Sequence, residues 1–166
     1  MKKITLLLVV LALQISCVAV NPKAAPPKKI HGKAGRPLPY FSLTIDSNYE
    51  PQLDHVVKGY KLLPVVMKNF ALKAVPMDLK NDRWVVVGEK GQTYKALNSL
   101  KLKDPVAWRK LPEDVKNLID YPEILPIEYS VTFDILLPSN AKLDYFRELR
   151  FYSSALGREF VIEKEY

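Results

Sequence analysis

The chain predicts a mainly β fold, an antiparallel sandwich with one short helical insertion at about residues 104–120. Three observations lead there. Apolar and polar residues alternate in several short runs, which is the period of a half-buried strand. Those runs are rich in Val, Ile, Phe, Tyr and Trp and are separated by Gly, Pro, Asn and Ser clusters. Helical spacing of apolar residues appears in one place only, after Asp104.

In chain order, Met1-Lys2-Lys3 precedes the apolar run Ile4–Leu13, broken only by Thr5 and too short to cross a bilayer as a helix. Residues 1–17 therefore form a signal peptide. Cys17 is the single cysteine of the chain and stands at the exit of this run behind Ser16. That placement makes it the candidate lipidation site of a lipoprotein, with a membrane as partner through the acyl group. Gln14 stands where such signals usually carry leucine, so cleavage after Ala19 and a retained anchor stay open. A lone thiol in an oxidising compartment favours a cysteine that is modified or removed.

Residues 18–39 are expected to form a linker. Pro22, Pro26, Pro27, Pro37 and Pro39 disfavour regular structure, and Lys23, Lys28, Lys29, Lys33 and Arg36 face no acid in this stretch. His31 is expected to be solvated there. The net charge of +7 lies wholly ahead of Tyr40, because all 18 acids come later and balance the remaining bases. A neutral body argues against a nucleic-acid partner, since a nucleic-acid-binding domain carries its basic patch on the fold.

The folded domain is expected over residues 40–166. Tyr40–Ile45 alternates with Phe41, Leu43 and Ile45 on one face. Tyr60–Lys68 is the next strand, and Pro64 within it suggests an edge or a bulge. Leu72–Met77 reads as a third, short strand. Arg83–Val87 turns through Gly88-Glu89-Lys90-Gly91 into Gln92–Ala96, a hairpin. Asp104-Pro105 and Pro112-Glu113-Asp114 are helix starts, and Leu111, Val115, Leu118 and Ile119 make one apolar stripe. Tyr129–Leu137 puts Val131, Phe133, Ile135 and Leu137 on one face. Phe146–Tyr152 and Glu159–Glu163 complete the set.

Several of these segments resemble small immunoglobulin-like β-sandwich domains of exported bacterial (lipo)proteins of unknown function. The matching residues are Val65-Val66-Met67-Lys68-Asn69, Trp84-Val85-Val86-Val87, Gly91-Gln92-Thr93-Tyr94 and the strand from Val131 to Pro138. Ahead of that last strand, Pro126-Ile127-Glu128-Tyr129 stands where the family usually has glycine. The resemblance implies an immunoglobulin-like sandwich, and a fold by itself implies no function.

No catalytic constellation is legible. His31, His55 and Cys17 are too few for a closed zinc site, and no nucleophile elbow or phosphate-binding glycine loop is present. Glu113-Asp114 read as helix-start acids, and Asp78 and Asp82 as turn residues. The chain is thus expected to be no enzyme and to need no cofactor or metal. Trp84 is expected in the core, while Trp108, Tyr145 and Tyr152 are candidate partner contacts. The leading expectation is an exported, membrane-tethered envelope domain that binds a protein or envelope polymer. The alternative is a soluble periplasmic or secreted accessory factor, a chaperone or inhibitor, that offers a strand edge. Val18 after Cys17 carries no inner-membrane retention signal, which points to an outer-membrane lipoprotein facing the periplasm, with periplasmic or secreted protein as the other locations.

Overall fold

A computed structural model describes residues 25–45, 56–143 and 145–163. The signal peptide with Cys17, the first part of the linker and His55 lie outside the described residues. Among those described, ten strands and three short helices follow one another: β1 (Lys28–Lys33), β2 (Phe41–Ile45), β3 (Tyr60–Asn69), β4 (Val75–Pro76), β5 (Arg83–Gly88), β6 (Thr93–Lys95), α1 (Leu100–Lys103), α2 (Pro105–Lys110), α3 (Glu113–Ile119), β7 (Ile124–Leu125), β8 (Ser130–Pro138), β9 (Phe146–Ser153) and β10 (Arg158–Glu163). Strand order β1-β10-β9-β5-β6 makes one sheet and β2-β3-β8 makes the other, with β4-β7 a small separate ribbon. Every pairing is antiparallel except β1 with β10.

Alternation explains how the two sheets face one another. Trp84, Val86, Leu149, Phe151, Phe160 and Ile162 project from the larger sheet. Phe41, Leu43, Val65, Met67, Phe133 and Ile135 meet them from the smaller one, and all twelve are buried. Aromatic rings carry the contact across the core. Phe41 lies 4.5 Å from Phe160, Trp84 stacks on Phe151 at 4.1 Å, and Phe133 meets the edge of Trp84 at 5.8 Å. Offset and edge-on contacts of this kind add to the area they bury.

The outer face of the smaller sheet is apolar too, and the helices explain it. Leu62 and Leu136 point away from the main core and are covered by Val57, Leu100, Val115 and Ile119. The molecule is therefore a sandwich with a helical layer on one side.

Four expectations are revised by the structure. Residues 28–33 are a strand rather than linker, because no proline falls between Pro27 and Pro37 and β10 offers a free edge. Gly32 lies against the buried Leu38 side chain, whose terminal methyl a Cβ would have to displace. Pro64 marks neither an edge strand nor a bulge, since β3 is central and its register with β8 is unbroken. The third strand shrinks to Val75–Pro76, leaving Leu72 fully in solvent. The helical insertion expected at about residues 104–120 is present as α2 and α3, with a short α1 ahead of it capped by Ser99, but Leu118 leaves its apolar stripe for the surface.

The β5–β6 hairpin closes as the glycines predict, with Gly91 at φ 79° and the Gly88 N–H bonded to Gln92 O at 2.8 Å. The short helices start as expected for α2, whose Asp104 carboxylate accepts the Ala107 N–H at 2.9 Å. Phe151 touches rings from both sheets, so Phe151→Ala is expected to cost about 3–5 kcal/mol of stability in urea unfolding. Leu72→Ala is expected to stay within about 0.5 kcal/mol, since that side chain touches nothing it could leave empty.

Candidate functional site

The residues singled out in the sequence do not converge. Trp108 is half-buried on α2 and packs against the helical-layer cluster. Tyr152 lies on the outer face of the larger sheet beneath the Arg83 guanidinium, 4.3 Å from the ring centroid. Tyr145 is 65% exposed and precedes β9, at the opposite end of the strand that carries Tyr152. Seven residue steps along the strand separate the two tyrosines by about 23 Å. Among the described residues no three His, Cys, Asp or Glu side chains come together as a metal site.

Two other constructions stand out. The first is a cationic flank along the helical layer. From Leu100 to Lys110 the chain carries Lys101, Lys103, Arg109 and Lys110, and its one acid, Asp104, is occupied as the α2 cap. A groove of about 460 Å³ runs between this flank and the β5–β6 hairpin. Lys80, Arg83, Lys95 and Lys103 rim it, over apolar walls that include Leu97 and Leu102. The Asn98 side chain donates to Leu79 O and Asp82 O, which leaves its own buried oxygen without a hydrogen-bond donor. A second groove of about 430 Å³ lies on the other side of α1, with Lys58, Lys103 and Lys110 beside Val57 and Leu111. The body is neutral as a whole, yet eight of its 18 bases (Lys58, Lys80, Arg83, Lys95, Lys101, Lys103, Arg109 and Lys110) lie along this flank and its grooves. Net charge alone hides this segregation.

The second construction is a tied set of loops at one end of the sandwich. Asp82 is only 3% exposed, and its carboxylate accepts four hydrogen bonds. The Asp78 N–H and the Tyr121 hydroxyl donate to Oδ2 at 2.8 and 2.9 Å. The Ser154 N–H and hydroxyl donate to Oδ1, both at 2.8 Å. Tyr121 in turn accepts the Trp84 indole N–H at 3.2 Å, so the network reaches the core. Sequence reading placed Asp82 in a turn and missed this role, because its partners Tyr121 and Ser154 lie far along the chain.

Asn69, at the end of β3, performs a similar task nearby. It is fully buried; its side-chain NH₂ donates to Lys73 O and Leu125 O, and its oxygen accepts the Ala71 N–H at 2.7 Å. Its backbone N–H bonds Tyr129 O, which joins loop 70–73 to loop 124–129. On that joined surface Phe70, Leu72, Ile124, Ile127 and Tyr129 are all exposed.

Burial first, and then the Asp82 carboxylate, hold the Tyr121 phenol well above the usual tyrosine range. A group whose folded pKa is raised stabilises the fold fully below its unfolded pKa and loses that contribution as pH rises. Stability is therefore expected to decline above pH ~10, where an unfolded tyrosine ionises. In Tyr121→Phe this alkaline decline should shrink, while stability at neutral pH falls by about 1–2 kcal/mol from the lost hydrogen bonds. Urea unfolding at neutral and alkaline pH checks both.

No family model and no curated protein matches the chain. Among solved structures, an uncharacterized β-sandwich protein from Clostridium difficile 630 aligns over 86% of this chain and 98% of its own, at 16% identity and a TM-score of 0.34.

Proposed function

We propose that this protein is an exported, membrane-tethered envelope domain of immunoglobulin-like type that acts by binding an acidic protein or an anionic envelope polymer, with no chemical step. The observation that carries the binding part is the basic groove beside α1. Exposed Lys80, Arg83, Lys95 and Lys103 surround an apolar floor, and the nearest acid, Asp82, is already saturated by donors. Such a surface attracts and orients a negatively charged partner while its floor accepts the partner's apolar parts. The tether rests on Cys17 at the exit of the apolar run and on the lysines that follow it. An immunoglobulin-like arrangement is supported by the matched strand segments and by the parallel pairing of the first strand with the last.

The alternative, a soluble accessory factor that offers a strand edge, would use β1 or β6 in the larger sheet, or β2 or β8 in the smaller one, where the Gly35 and Leu97 N–H groups already bond Leu43 O and Leu136 O. β6 is three residues long, and β1 exposes Lys28, Lys29 and Lys33. Short strands and lysines are what keep an edge from recruiting another strand. The groove is therefore the better-supported surface.

Two measurements test the reading. Radiolabelled fatty acid is expected in the wild type and absent in Cys17→Ala; an unlabelled wild type in the soluble fraction would sink the tether. Sedimentation of the protein with isolated envelope polymer is expected to weaken with added salt. It should weaken by about tenfold or more in Lys95→Glu/Lys103→Glu. Sedimentation indifferent to salt and to both charge reversals would sink the groove.

A further inference from the structure

The end of the sandwich at which the chain enters β1 is also its most apolar exposed surface. Lys28 pairs with Arg158, the Arg158 guanidinium lies 5.6 Å from the centre of the Tyr40 ring, and Tyr40 O accepts the Phe70 N–H at 2.9 Å. That path leads from the N-terminal entry to the loops joined by Asn69. Five of the nine large hydrophobic side chains exposed among the described residues lie in these two loops: Phe70, Leu72, Ile124, Ile127 and Tyr129. Leu72 is 98% and Tyr129 70% exposed.

The fold holds this surface open rather than merely failing to cover it. Asn69 donates both side-chain N–H groups and accepts one hydrogen bond within loops 70–73 and 124–129. Between Ile127 and Tyr129, Glu128 takes φ 61°, a left-handed conformation uncommon outside glycine, which lies between the two exposed side chains. Residues held in such sparsely populated conformations cluster at binding sites and ligand clamps.

We propose that this end docks on the bilayer that holds the tether, with Leu72, Ile127 and Tyr129 entering the boundary between headgroups and acyl chains. The proposal rests on the tethered reading of Cys17. Ten residues separate Cys17 from Lys28, and an extended, proline-rich segment of that length reaches only about 30–35 Å. The membrane is thus always within reach of the entry end, and the effective concentration of bilayer there is high enough for a small apolar surface to engage. The side-chain chemistry favours lipid. Aliphatic groups accompany a tyrosine, which suits the interface, and the Lys68 ammonium lies 5.4 Å from the centre of the Phe70 ring. Lys73 and Lys28 are exposed at the same end and complement anionic headgroups; Glu123 and Glu128 are the acids of loop 124–129 and its approach.

The lone cysteine makes a direct test possible. In the acylated protein Cys17 is blocked, so Leu72→Cys adds one free thiol at a site where the change leaves the fold alone. The acylated protein would be labelled there with an environment-sensitive dye and reconstituted in phosphatidylcholine–phosphatidylglycerol vesicles. Tyr145→Cys, at the far end, serves as the control. Nitroxide-bearing lipid is expected to quench the dye at residue 72 at least about twofold more than at residue 145. Equal quenching at the two sites in protein that floats with the vesicles would overturn docking and leave the tether standing. Shielding of residue 72 from aqueous iodide without lipid quenching would place a second copy of this chain on the surface, and would also overturn the proposal. Absence of acyl label would overturn the tether and the docking together, a failure read separately by fatty-acid incorporation.

Discussion

Asp82 places a carboxylate where almost no water reaches it, and one end of the molecule is organised by satisfying that group. A buried carboxylate without partners would be far too costly to keep. Here each oxygen takes two donors, and the donors come from separate segments: the turn after β4, the loop between α3 and β7, and the turn between β9 and β10. Satisfying one side chain therefore fixes three connections at once. Tyr121 extends the constraint inward, since the phenol that donates to Asp82 also accepts the Trp84 N–H. Trp84 can then lie in the core between Phe151 and Phe133 without an orphaned indole donor.

The helical layer serves the fold and the surface with opposite faces. Leu100, Val115 and Ile119 cover Leu62 and Leu136, which a bare three-stranded sheet would leave in water. A helix that buries one stripe presents its other residues outward, and in α1 and α2 those are mostly lysine and arginine. The cationic flank is thus the outer side of the elements that seal the smaller sheet. For that reason it persists in a domain whose bases and acids balance.

Most strands were legible in the sequence, through alternation or through composition. β2 and β8 alternate in sequence, while β3, β5, β9 and β10 are marked by β-branched and aromatic residues bounded by turn clusters. What escaped reading was set by partners distant along the chain. β1 has Ile30 and Gly32 on its inward face, but averaging prolines over the whole linker masks a nine-residue run that has none. Asp82 and Asn69 are residue types expected in turns, so local chemistry explains them without reference to Ser154, Tyr121 or Leu125. The exposed apolar loops were illegible for the opposite reason. Leu72 read as strand, and only the shortness of β4 reveals that nothing packs on it.

The Asp82 and Asn69 networks lie at the same end of the sandwich as the exposed apolar loops, and that coincidence has an energetic consequence. A loop that must be ordered on binding loses conformational entropy at that moment, which subtracts from affinity. Loops 70–73 and 124–129 are already held through Asn69 and through the β4–β7 pairing, and the neighbouring turns are held through Asp82. Their ordering cost is met when the domain folds. A small apolar surface on such a rigid base can then bind with most of its contact energy intact, whereas the same residues on a floppy loop would not.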